Sequence, residues 1–92
     1  MFVKESFRKI KSILGVTAID NSADSIAING QSITFRCVSG NIWINPNATA
    51  VANTTALKLI ATENQNLVVP DNLSIISDGS GGTYQIIYWD EE

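Results

Sequence analysis

The stretch Ser32-Ile33-Thr34-Phe35-Arg36-Cys37-Val38 decides the fold class. Ile33, Phe35 and Cys37 fall on one side of an extended chain and Ser32, Thr34 and Arg36 on the other, a period of two that belongs to strands. Its β-branched and aromatic residues suit a pleated, half-buried surface. Just upstream, Asn29-Gly30 is the strongest short turn signal in the chain, because both central positions of a type I′ turn require positive φ. Ser25–Asn29 alternates before it, with Ile26 and Ile28 on one side. The two stretches read as a hairpin.

Downstream, Ser39-Gly40-Asn41 reads as a break, and Asn41–Asn45 resumes the alternation with Ile42 and Ile44 opposed to Trp43. Asn45-Pro46-Asn47 ends that strand. Ala48–Ala52 is weakly extended, Ala56–Ala61 is a strand around Leu57 and Leu59, and Leu67-Val68-Val69 runs into the turn Pro70-Asp71-Asn72. Leu73–Ile76 is a short strand, and Asp78-Gly79-Ser80-Gly81-Gly82 reads as a mobile hairpin loop. In Thr83–Trp89, Tyr84, Ile86 and Tyr88 oppose Gln85, Ile87 and Trp89, so both faces are bulky and a central or interface strand is expected. Together these give seven or eight short antiparallel strands, mainly β, in a small β-sandwich or barrel.

The first residues read differently. Val3, Phe7, Ile10 and Leu14 are spaced four, three and four apart, a helical seam with Ile13 beside it. Lys4, Arg8, Lys9 and Lys11 face a single acid, Glu5, so this leader carries about +3. Arg36 and Lys58 face eight acids in the remainder, which carries about −6, for a formal charge of −3 overall. The expectation is a basic amphipathic helix over residues 1–15, stopped at Gly15, on an acidic β-domain over residues 16–92. Such a short helix is marginal in water and needs a surface to pack on. Val3, Phe7, Ile10 and Leu14 are its candidate docking residues, against its own domain, another copy or a partner.

Composition narrows the functions. Ninety-two residues allow one small domain, which buries only about 60–65% of its unfolded surface and gains from oligomerisation. Cys37 is the only cysteine and histidine is missing, so an intrachain disulfide is impossible and a zinc site is not expected. Charged residues make up 16% of the chain, below the usual quarter, and Asn, Ser and Thr take their place. No apolar run is long enough for a membrane helix, and the leader lacks the apolar core of a secretory signal.

No catalytic constellation is visible. A nucleophile–base pair would need histidine or an activated lysine, and the only lysine after the leader is Lys58. Cys37 alternates toward the core with Ile33 and Phe35, as a buried small hydrophobe does. The 78–82 loop lacks the lysine and helix of a phosphate cradle, and Asp71, Asp78 and Asp90 match no calcium-loop spacing. Catalytic, cofactor and metal residues are therefore expected to be none. The sequons at Asn47, Asn53 and Asn72 are what an Asn/Thr-rich chain produces by chance. Trp43 and Trp89 lie opposite the aliphatic faces of their strands and are candidate surface contacts, either as interface anchors or as a sugar-stacking platform. Nucleic acid is not an expected partner, because the acidic body repels its backbone.

The run Val38-Ser39-Gly40-Asn41-Ile42-Trp43-Ile44-Asn45-Pro46, then Ala48-Thr49-Ala50, Ala56-Leu57-Lys58-Leu59, Asn72-Leu73-Ser74-Ile75-Ile76-Ser77 and Gly82-Thr83-Tyr84-Gln85-Ile86-Ile87-Tyr88-Trp89 resemble small β-sandwich proteins of tailed-bacteriophage particles. The likeness covers roughly residues 25 to 90 and is a pattern of strand types. It implies a non-enzymatic virion structural protein of capsid-decoration or auxiliary type, a head-fibre base or a tail component. On that expectation the chain is made in the host cytoplasm, resides in the virion, and contacts copies of itself and capsid, portal or tail proteins. The alternatives are a carbohydrate-binding β-sandwich module, for which the tryptophans speak, and a tail- or portal-associated adaptor.

Overall fold

The computed structural model describes residues 9–46, 48–53 and 56–90, and it is mainly β. Six strands form one antiparallel sheet: β1 (Lys9–Ile19), β2 (Asp24–Ala27), β3 (Ser32–Asn45), β4 (Leu57–Ile60), β5 (Asn64–Val68) and β6 (Asn72–Asp90). The two long strands β3 and β6 pair along their whole lengths at the centre. The far side of β6 is lined by β1 and then β2, and the far side of β3 by β4 and β5. Thr83–Trp89, bulky on both faces, is thus in a central strand as its sequence predicts.

Among the described residues six strands stand where seven or eight were expected: two expected breaks are bends inside continuous strands, residues 48–52 form no strand, and β1 is added. At Ser39-Gly40-Asn41 the β3–β6 ladder shifts register twice, between Cys37 and Ser39 and between Gly40 and Ile42, and then continues. Opposite, residues 78–82 are part of β6, so the expected hairpin loop is corrected to strand. Such bulges bend a strand and increase its twist without ending it. Each long strand therefore has two halves, and each half has its own flank. One half-sheet is β1, the second half of β6, the first half of β3 and β5. The other is β2, the first half of β6, the second half of β3 and β4.

The inner faces of both halves share one core. Ile33, Phe35, Cys37, Tyr84 and Ile86 from one half meet Ile42, Ile44, Leu59, Leu73 and Ile75 from the other. Phe35 and Tyr84 stack with centroids 5.3 Å apart and an interplanar angle of 17°, a pairing that contributes about 0.5–1.5 kcal/mol beyond its area. At the bend, fully buried Ser77 donates to the Asn41 carbonyl at 2.6 Å, and its backbone N–H donates to the Asp20 carbonyl at 2.7 Å. At the opposite end two links cross between the halves. Ile28 and Asn29 N–H donate to the Asp71 carbonyl, and Gly30 N–H donates to the Val69 carbonyl, while Ile28 and Val69 plug the core.

Asn29 and Gly30 have φ of 55° and 80°, the turn chemistry their sequence predicts. The flanking strands do not form a hairpin, however. β2 pairs with β6 at Asn72–Ile75, whereas β3 begins opposite Trp89. The turn carries the chain from one half-sheet to the other.

The expected N-terminal helix is corrected over Lys9–Leu14, which lie in β1, and residues 1–8 fall outside the described residues. The physical reason is a pair of bulges. Ile10 opposes Trp89 and Ser12 opposes Tyr88, so Lys11 is an extra residue; a second extra residue lies between Leu14 (opposite Ile86) and Thr17 (opposite Tyr84). Ile10 and Ile13 consequently share a face at a spacing of three, which imitates a helix. Gly15 sits in the second bulge, with Thr17 Oγ1 donating to its carbonyl at 2.9 Å, and ends no helix. The expected boundary at residue 15 falls inside β1.

Candidate contact surface

The outer faces of the two half-sheets differ. Over the half containing β2 and β4, Trp43 is 2% exposed and packs with Ile76 and Ala50, while Ala52 and Ala56 pack against them. Ala50 N–H donates to Ser74 Oγ at 2.9 Å, which ties Ala50 to β6, and the Lys58 ammonium lies 5.3 Å from the Trp43 ring centre. Trp43, expected as a surface contact, is core to this half and offers no free ring.

The other outer face has no such cover among the described residues. Its rows follow from register: Ile10, Trp89, Ser32 and Val68 in one, Ile13, Ile87, Thr34 and Asn66 in the next, then Gln85, Arg36 and Asn64. Ile10 is 52% exposed, Ile13 51% and Val68 60%, and Val16 in the second bulge stands out beside them at 60%. Arg36 is the single charged side chain in those rows. Exposed aliphatic side chains and few charges are the composition of an interface centre.

Trp89 anchors this face. Its Nε1–H donates to Thr34 Oγ1 at 2.9 Å, and Thr34 Oγ1 donates to Asn66 Oδ1 at 2.5 Å, so a polar relay crosses β6, β3 and β5 and holds the indole half-buried. Every buried side-chain nitrogen and oxygen among the described residues has a hydrogen-bond partner.

The expected docking set divides. Val3 and Phe7 lie outside the described residues. Ile10 is on the open face, whereas Leu14 points inward and packs on the core beside Ile86. Ile87 and Val68 join the surface although sequence reading did not single them out. Their signal was there in Ile87, on the same side of its strand as Trp89. Val68 sat in an apolar triplet whose faces could not be told apart by pattern.

A cleft of 610 Å³ lies at the bend, lined by Asp20, Asp24, Ser39, Gly81 and Thr83 among others, with Ser39 and Thr83 hydroxyls bonded to each other at 2.7 Å. No lysine, histidine or thiol is among the residues that line it. Cys37 is buried, and burial first and the Glu63 carboxylate second push its thiol pKa up, away from reactivity. Among the described residues no group of three or more His, Cys, Asp or Glu side chains is arranged to hold a metal.

Compared with protein-family models, curated proteins and solved structures, the chain has no match.

Proposed function

We propose that this chain is a non-enzymatic structural protein of a tailed-bacteriophage particle, of capsid-decoration or auxiliary type, acting where it is assembled and contacting protein neighbours through the open face of β1, β6, β3 and β5. One observation carries the contact reading. Ala50, Ala52 and Ala56 cover Trp43 and Ile76 on one outer face, and the other presents Ile10, Ile13, Val68 and the braced Trp89, with Arg36 the single charge in its three rows. Surfaces of that kind mark protein contacts.

The particle reading rests on the strand-type resemblance, which runs through β3 and β6, the central strands. The shared core of the two half-sheets supports treating the bent sheet as a small β-sandwich of two four-stranded layers, each long strand serving both. The burial of Trp43 removes the paired-tryptophan platform that favoured sugar binding.

Quantitative mass spectrometry of purified particles from the source phage tests the proposal. A fixed integer ratio to the major capsid or tail protein is expected. Absence from particles, with the chain recovered only in the infected-cell lysate, contradicts it.

A further inference from the structure

We infer that the open face docks on the same face of a second copy of this chain, forming a two-fold dimer. This rests on reading the face as a protein contact surface and adds who occupies it. Four strands about 4.8 Å apart and nine residues of β6 at about 3.3 Å each cover about 500 Å² in projection. Side-chain relief brings that toward the roughly 800 Å² per partner of a standard interface. Two such faces together bury about 1,000 Å², the lower bound of a specific interface.

Its pattern suits a copy of itself. A two-fold axis parallel to the sheet plane, running across the strands midway between the two faces at the level of Ile13, Ile87, Thr34 and Asn66, sets β1 over β1 of the other copy. Ile10 and Val16 of one copy then meet Val16 and Ile10 of the other, Ile13 meets Ile13, and Ile87 meets Ile87. The row of Trp89 and Ser32 lies over the row of Gln85 and Arg36. This keeps the two Arg36 guanidinium groups apart, each over Ser32 of the other copy. Packing by edge addition is opposed by β1 itself, whose two bulges and two lysines are devices that blunt an edge strand.

Sedimentation velocity on the full chain over a concentration series reads the outcome, with circular dichroism confirming that each variant is folded. A reversible dimer is expected. Ile13→Lys and Val68→Lys should each weaken it by about tenfold or more, since each places a charge inside the footprint. Ile60→Lys, at similar exposure on the other half-sheet, should leave it unchanged. A monomer at every concentration overturns the inference. So does a dimer weakened by Ile13→Lys but not by Val68→Lys, which would place the contact at the β1 edge. A monomer whose entry into particles is abolished by Ile13→Lys overturns the second copy as occupant while upholding the proposed function. A face dimer missing from particles does the reverse.

Discussion

Gly40 lies so close to Gly81 that a Cβ on Gly40 would collide with the Gly81 carbonyl oxygen and sit 2.8 Å from the Gly82 Cα. Gly40 also has φ of +75°, a conformation costly for any other residue. These two strands approach backbone to backbone where the sheet bends. Gly40→Ala is expected to cost about 2–4 kcal/mol, from left-handed strain and overpacking together. A methyl group on Gly79 would meet nothing within 4 Å, so Gly79→Ala should be neutral or stabilise by up to about 1 kcal/mol. Urea denaturation of both variants checks the contrast.

Alkaline stability follows from two buried acids, Cys37 and Tyr84, and the half-buried Tyr88. The Cys37 pKa is raised by burial and then Glu63, that of Tyr84 by burial and then Asp24 and Tyr88, and that of Tyr88 by burial. Each group holds its proton more tightly folded than unfolded. Between the two pKa values the unfolded chain binds fewer protons, so stability falls as pH rises. The contribution is complete below the ordinary thiol value of about 8.5, and the loss steepens above about 10, where unfolded tyrosines ionise. Melting temperature against pH should show this decline, and Cys37→Ala should remove its earlier part.

The tryptophans should behave as opposites. Trp43→Ala opens a buried site and should cost about 3–5 kcal/mol. Trp89→Phe keeps most of the ring and loses the hydrogen bond to Thr34, which should cost about 0.5–1.5 kcal/mol. In Trp89→Phe the remaining fluorescence should resist acrylamide, and in Trp43→Phe it should be quenched.

How far the sequence could be read is clearest in β3 and β1. The alternation of Ile33, Phe35 and Cys37 placed all three in the core, where they are fully buried. The turn at Asn29-Gly30 was legible in its dihedrals and not in its partners, because pairing is decided by residues far along the chain. Continuous bends at Gly40 and Gly81 looked like breaks, since glycine marks a tight approach and a loop alike. In β1, bulges turned a period of two into apparent helical spacing. The open face was half legible. Trp89 and Ile10 were singled out, but Ile10 was grouped with Leu14, which the bulges send to the other side of the sheet.

Because β1 belongs to the sheet, truncation should be position-sensitive. Removing residues 1–8 leaves all of β1 and should preserve a cooperative melt. Removing residues 1–14 strips Leu14 from the core and unpairs the end of β6 from Ile86 to Asp90, which a domain with so thin a margin should not withstand. Circular dichroism melts of the two truncations give the comparison. An unchanged melt for the longer deletion would mean that β1 adds nothing to the core.

Whether the open face is a protein contact is tested most directly by hydroxyl-radical footprinting of assembled particles against the free chain. Relative to the chain diluted to monomer, Ile10, Ile13, Val68 and Trp89 should lose reactivity on assembly, while Val51, Leu57 and Ile60, exposed elsewhere, should keep theirs. Protection of Val51, Leu57 and Ile60 with continued labelling of Ile10, Ile13 and Val68 would contradict it.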